Sequence, residues 1–172
     1  MTAMETAFSD TMPDILSEGG LSFSPTVLPS SLEIEALLRG ARTIAVVGLS
    51  PKPQRDSHDV AKYLQSVGYR VVPINPLVAS TANPFILGER CYANLTDAAF
   101  KLGDTARIDI VNVFRRSEEA PTIVEEAVMV GAQAIWLQLG IKHASASQFA
   151  LEMGLVMVQD RCIKIEHRRV FT

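Results

Sequence analysis

From residue 43 onward, short runs of β-branched and aliphatic residues alternate with longer stretches in which apolar positions recur every three or four residues. That alternation predicts successive βαβ units, and therefore a parallel sheet covered by helices. Strands are expected at 43–48, 69–74, 108–114, 134–139 and 155–159. Between them, Ser57 is a candidate N-cap for a helix burying Val60, Ala61, Leu64 and Val67 up to Gly68. Ser117 is a second cap candidate. Its helix tolerates Pro121 in the first turn and turns Ile123, Val124, Ala127 and Val128 to one side before Gly131. A third helix, 145–153, places Phe149, Ala150 and Met153 inward and stops at Gly154. Glycine just past the last turn suits all three ends. Upstream, Ser31 is the cap expected for a short helix with Leu32, Ile34, Leu37 and Leu38 on its apolar side, ending at Gly40.

The pattern is weaker elsewhere. Residues 77–92 hold Pro84 and Gly88 and few periodic positions, which reads as a loop with a short strand at Arg90–Tyr92, followed by a short helix from Thr96 to Phe100. The tail Cys162–Arg169 stays open between strand, on the alternation of Ile163 and Ile165, and helix, on the exposed turn Glu166-His167-Arg168-Arg169. Residues 1–30 mix Ser, Thr, Pro and Gly without a sustained period, and read as a flexible acidic N-terminal extension. Residues 31–172 are then a single domain. The fold class that follows is α/β, a Rossmann-like doubly wound, mostly parallel sheet with helices on both faces.

Composition adds exclusions. The 172 residues, 48% hydrophobic and 20% charged, suit one globular domain, and no apolar run approaches the roughly 20 residues of a membrane span. The net charge of −3 is uneven: Glu5, Asp10, Asp14, Glu18, Glu33 and Glu35 face Arg39 alone within residues 1–39, so the remainder is +2. A surplus that small is no nucleic-acid footprint, though it suits one small polyanion. A cationic, apolar leader is missing at the N-terminus, so a cytoplasmic location is expected. Cys91 and Cys162 stand far apart, as free thiols of a reducing compartment do, and the chain has no ligand-spaced Cys/His set for zinc. No metal site is expected.

Ligands of doubly wound sheets lie beyond the carboxyl ends of the strands, where strand order reverses. The first such end, Thr43-Ile44-Ala45-Val46-Val47-Gly48-Leu49-Ser50-Pro51-Lys52-Pro53-Gln54-Arg55-Asp56-Ser57, joins a strand to a helix start through glycine, hydroxyls and two cations. Gly48 permits close backbone approach, Ser50 and Ser57 offer hydroxyls, and Lys52 and Arg55 offer charge-assisted donors to phosphate. An ordinary turn with solvated cations is the bland alternative. The second end, Asn75-Pro76, lacks the Asp or Glu that an NAD site uses on the ribose 2′-hydroxyl. Asn75 also reads as a structural turn residue. At the third end, Phe114-Arg115-Arg116, one arginine can face the cleft while the other meets solvent, which makes Arg115 or Arg116 a candidate phosphate clamp, with a plain surface pair as the bland alternative. At the fourth, Gln138 and Gly140 suit contact with a linear, polar chain, whereas Trp136 belongs in the core.

Candidates for chemistry are sparse. His143 is the one histidine expected at the mouth of the sheet, and Cys162 beside Arg161 is a candidate thiolate. Both are equally well an exposed loop histidine and an inert thiol. Neither a Gly-x-Ser-x-Gly elbow, a P-loop nor an HExxH occurs, and no catalytic residue is assigned.

Taken together, Ala45-Val46-Val47-Gly48-Leu49-Ser50-Pro51, Gly68-Tyr69-Arg70-Val71-Val72-Pro73-Ile74-Asn75-Pro76, Asp109-Ile110-Val111-Asn112-Val113-Phe114-Arg115-Arg116, Trp136-Leu137-Gln138-Leu139-Gly140-Ile141 and Asp160-Arg161-Cys162-Ile163-Lys164-Ile165-Glu166-His167-Arg168-Arg169 resemble the small, single-domain coenzyme A-binding proteins. Their fold is similar to the nucleotide-binding domain of succinyl-CoA synthetase α chains. The resemblance implies CoA or an acyl-CoA as cofactor, with Gly48, Ser50, Lys52, Arg55 and Ser57 around its phosphates. Asn75, Pro76, Phe114, Arg115, Gln138 and Gly140 would line the rest of the groove. It also accounts for the missing ribose carboxylate, which would repel the 3′-phosphate of CoA. The stretch Val78–Phe85 is longer than the likeness leads one to expect. No stretch matches the phosphohistidine-bearing domain of the ligases, so autonomous ligase activity is not expected.

The function expected is therefore CoA binding as a carrier, sensor or partner-dependent subunit, without autonomous catalysis. Two alternatives stand beside it: an enzyme acting on a CoA thioester, and an NAD(P)-dependent oxidoreductase with a degenerate glycine loop. An exposed sheet edge offers a route to a homodimer or to a protein partner.

Overall fold

The structure is a computed structural model and describes residues 28–172. The expected extension, 1–30, lies outside it apart from residues 28–30. There Ser30, not Ser31, caps the first helix: its Oγ accepts from the Glu33 N–H while the Glu33 carboxylate reaches back to the Ser30 N–H, a reciprocal capping box. In chain order the elements are α1 (Ser31–Gly40), β1 (Thr43–Val47), α2 (Asp56–Ser66), β2 (Arg70–Ile74), α3 (Pro76–Ala79), β3 (Phe85–Ile86), β4 (Glu89–Arg90), α4 (Leu95–Leu102), β5 (Ile110–Val113), α5 (Ala120–Met129), β6 (Ala134–Leu137), α6 (Ala144–Glu152), β7 (Val156–Val158) and α7 (Ile163–Phe171).

All five expected strands are present, and they pair in parallel in the order β2-β1-β5-β6-β7. Chain order reverses between β1 and β5. Successive strand residues point to opposite faces, so Ile44 and Val46 pack with α1, α2 and α7, whereas Ala45 and Val47 pack with α4, α5 and α6. The strands are buried on both faces, hence their almost unbroken apolar sequence.

Several local expectations need correction. Leu32 and Val67 are exposed, not core. In α6 the buried positions are Ala146, Ser147 and Ala150, while Phe149 and Met153 face outward; His143 rather than a later residue caps the helix. Ser117 opens a 3-10 turn, and its hydroxyl accepts from the Lys142 N–H instead of capping α5. The loop after β2 contains α3 and the antiparallel β3–β4 pair, and Tyr92 bridges to the edge of β2 at Ile74. The helix expected at 96–100 runs from Leu95 to Leu102, capped by Asn94.

The tail is helical. Cluster packing decides it: Ile163 is buried among the side chains of α1 and α2, and His167 stacks on Phe171 at 4.3 Å while accepting or donating at Nδ1 to the Tyr63 hydroxyl, 2.9 Å away. Nearby, burial pushes the Tyr69 hydroxyl, which donates to Leu38 O, up to about 12. Burial lowers His167 below its ordinary value of 6.5. Its neutral form is thus favoured in the fold, and its contribution, complete above the unfolded value, is lost as pH falls below it. The thermal midpoint is expected to drop between pH 7 and pH 5.5, and His167→Gln is expected to flatten that drop.

Asp109, just before β5, ties the amino ends of three strands. Its Oδ2 accepts from the N–H groups of Arg42 and Thr43 at 2.8 and 2.9 Å, and its Oδ1 from Gln133 Nε2. Asp109→Ala leaves those donors without their acceptor, at an expected cost of about 2–4 kcal/mol in urea unfolding. Asp109→Asn, which keeps one oxygen, is expected to cost less.

Candidate ligand groove at the switch point

The reversal between β1 and β5 brings Gly48 opposite Phe114 and Arg115. Gly48 has φ +84°, and a Cβ there would lie 2.8 Å from Arg115 Cδ and 3.1 Å from Phe114 O. Glycine is therefore required both by conformation and by the approach of the neighbouring strand end.

Beyond Gly48 the loop closes on itself through serines. The Ser50 N–H donates to Ser57 Oγ at 3.1 Å, and Lys52 N–H donates to Ser50 Oγ at 3.2 Å. Ser57 is accordingly not the cap of α2. It lies buried inside the first turn, and Arg55 occupies the cap position with no side-chain hydrogen bond to the helix. The amino end of α2 thus has no side-chain cap to compete with an anion for its first N–H groups, although Asp56 and Asp59 sit in that first turn.

Three adjoining cavities run along the strand ends. The middle one, about 460 Å³, is lined by Ser50, Gln54, Arg55 and Ser57, with Gly48 and Arg115 at its base. Gly48 and Asn75 also line a cavity of about 350 Å³ at the ends of β1 and β2, which Pro76, Asn94 and Glu126 share. Phe114 and Asp56 also line one of about 660 Å³ toward α7, with Val60, Leu139 and Cys162. Arg115 lines all three. The result is one groove with a cationic, hydroxyl-bearing centre.

Arg115 is held by Glu119, whose Oε2 accepts from its Nε at 2.6 Å. That hydrogen bond holds the Glu119 carboxyl below its usual range. Using Nε in this way leaves the terminal nitrogens of Arg115 for a ligand. Arg116 makes a longer contact with Glu119, 3.4 Å, and is 84% exposed; it lines only the cavity toward α7, whereas Arg115 lines all three.

The expected site residues divide. Gly48, Ser50, Arg55, Ser57, Asn75, Pro76, Phe114, Arg115 and Gln138 all line the groove. Lys52 is exposed and lines none of its three cavities. Gly140 is also outside, and its N–H is taken by Asp160 Oδ1 at 2.8 Å. Asn75 is spent on structure: its Oδ1 accepts from the N–H groups of Leu77 and Val78, and its Nδ2 donates to Leu49 O. That side chain clamps the first loop to α3 and contributes to the groove by position. Gln54, Glu119 and Asn94 were missed. Gln54 sits in the loop already singled out, but Glu119 and Asn94 reach the groove only through helix packing, for which the sequence carries no signal.

Of the candidates for chemistry, His143 caps α6, its Nδ1 accepting from the Ala146 N–H, and lines none of the three cavities. Cys162 lines the largest. Cys91 is buried, and burial pushes its thiol up. Among the described residues no group of His, Cys, Asp and Glu side chains is placed to hold a metal ion, and no helix is long and apolar enough to cross a membrane.

Comparison with known proteins agrees with this architecture. The chain is 39% identical over 139 residues to the uncharacterised Bacillus subtilis (strain 168) protein YneT, an alignment spanning 81% of this chain and 95% of the relative. Among solved structures it is similar to the Thermus thermophilus protein cell-free ID.343, with TM-score 0.74 and 35% identity, covering 83% of this chain and all of that one. A hypothetical protein from Pyrococcus horikoshii OT3 superposes with TM-score 0.73 and 34% identity, covering 84% of this chain and 94% of the other. A family model described as a CoA binding domain matches residues 42–168, from the residue before β1 into the last helix. With strand order, glycine loop and sequence likeness in agreement over that span, this chain belongs to the CoA binding domain family.

Proposed function

We propose that the protein binds coenzyme A or an acyl-CoA along the switch-point groove and acts as a carrier, sensor or partner-dependent subunit without autonomous catalysis. The observation that carries this reading is the order of chemistry along the groove. A polar centre with Arg55, Arg115, two serine hydroxyls and an uncapped helix end lies between two less polar cavities. A pyrophosphate with an organic group at each end has that same order. The pyrophosphate sits in the middle cavity, accepting from Ser50, from Arg115 and from the first turn of α2. The adenosine and the pantetheine arm occupy the flanks. Lys52, outside the cavities, contributes long-range attraction only, and Gly140 supports the β6 loop through Asp160.

Against an NAD(P) oxidoreductase stands the end of β2, where Asn75 offers no carboxylate and both ends of its amide are taken. One observation favours a second reading, an enzyme acting on a CoA thioester: Cys162 lines the cavity at the β6 end. Incubation with a panel of acyl-CoAs separates the two. The binding-module reading expects no thiol release above background; release that disappears in Cys162→Ser overturns it.

A further inference from the structure

Asn112 is fully buried in the middle of β5, in register with Val46 of β1 and Trp136 of β6. Its Oδ1 accepts from Gln138 Nε2 at 2.7 Å. Its Nδ2 has no partner, and it is the one buried side-chain polar atom among the described residues left in that state. An amide with an orphaned donor, surrounded by aliphatic and indole side chains, lowers stability relative to an apolar residue of its size. Its presence therefore calls for another reason.

Gln138 supplies one. It closes β6, is 4% exposed, and lines the largest cavity among Val60, Phe114, Leu139 and Ile141. Because its Nε2 is held by Asn112, the atom left to face the cavity is Oε1, an acceptor with no donor from the protein. In this pairing the Gln138 amide presents its oxygen to the cavity. An acceptor beside Val60, Phe114, Leu139 and Ile141, in a cavity whose lining also includes Asp59, Arg116 and Lys164, matches a ligand segment of methylenes interrupted by N–H groups, as in the pantetheine arm with its two secondary amides.

We propose that Asn112 is a positioning residue that holds Gln138 as the hydrogen-bond acceptor for an amide N–H of the pantetheine arm, which places that arm in the β6-side cavity. This rests on the CoA reading above. The amino group of adenine is the other N–H donor in the same ligand, and the experiment separates the two.

The full chain is titrated calorimetrically with CoA and with adenosine 3′,5′-bisphosphate, which keeps the adenine and the 3′-phosphate but lacks the arm. Asn112→Leu and Gln138→Met are each expected to weaken CoA by about five- to tenfold, the loss of one hydrogen bond, and to leave the bisphosphate unchanged. The thermal midpoint of Asn112→Leu is expected at or above that of wild type, because the orphaned donor is gone. If that variant does not fold, Gln138→Met, altered at the cavity surface, carries the same expectation. Unchanged CoA affinity in folded Asn112→Leu and in Gln138→Met, or equal losses for both ligands, overturns the assignment while the CoA reading stands. Wild-type protein that binds neither ligand overturns both.

Discussion

Gly48→Ala is expected to destabilise the fold by about 2–3 kcal/mol and to weaken CoA at least tenfold. Two costs combine. An L-residue in the left-handed region costs about 1–2 kcal/mol, and the new methyl meets Arg115 Cδ at 2.8 Å and Phe114 O at 3.1 Å. The Arg115 chain has freedom to swing away, but the carbonyl belongs to the end of β5 and moves only with the strand. Relief thus comes by displacing Arg115, the side chain common to the whole groove. Urea unfolding and calorimetry on the same preparation read the two effects. Gly68→Ala is the control: it has φ +100° but open space where the methyl goes, so it is expected to lose stability with CoA affinity unchanged.

The second large effect concerns the cations. Arg55→Ala combined with Arg115→Ala is expected to lower CoA affinity by about two orders of magnitude or more, since each charge-assisted hydrogen bond is worth about 1.5–3 kcal/mol. Lys52→Ala is expected to lower it less than about twofold. From sequence alone all three cations are candidates, Lys52 and Arg55 for the phosphates and Arg115 for the rest of the groove. The structure separates them, because Arg55 and Arg115 line the middle cavity and Lys52, which is exposed, does not. The dependence of affinity on salt should weaken in the double variant and persist in Lys52→Ala. Equal losses from Lys52 and from the arginine pair would place the phosphates outside the groove.

Much of this is legible in the amino-acid sequence. The five strands announce themselves because a parallel sheet buried on both faces is built almost wholly of apolar residues, and Gly48 is marked by the strand that runs into it. Helix faces were less legible. Phe149 and Met153 fit the inward face of α6 by period, yet the smaller Ala146, Ser147 and Ala150 are buried instead. Packing distance between helix and sheet selects the small residues, and period alone carries no such information. Cap assignments failed for a related reason: serines at 57 and 117 sit near helix starts, but their hydroxyls are taken by backbone donors from elsewhere in the fold, and α2 and α5 begin without a side-chain cap. Ser57 is engaged by the Ser50 N–H and Ser117 by the Lys142 N–H. The tail was open between strand and helix because Ile163 shows its burial only when α1 and α2 are in place, and His167 only when Tyr63 and Tyr69 are. In the site, Asn75 has the residue type of a ligand contact, and its role as a clamp depends on bonds to Leu49, Leu77 and Val78 that no spacing rule specifies.

The most direct test of the central claim is calorimetric titration of the wild-type protein with CoA and with NADH, each at low and at high salt, after native mass spectrometry of the protein as isolated. The groove described here predicts one CoA per chain with a dissociation constant on the order of micromolar or tighter, weakened by salt, and NADH at least tenfold weaker. Absence of CoA binding at millimolar ligand, or NADH binding that CoA does not displace, contradicts it.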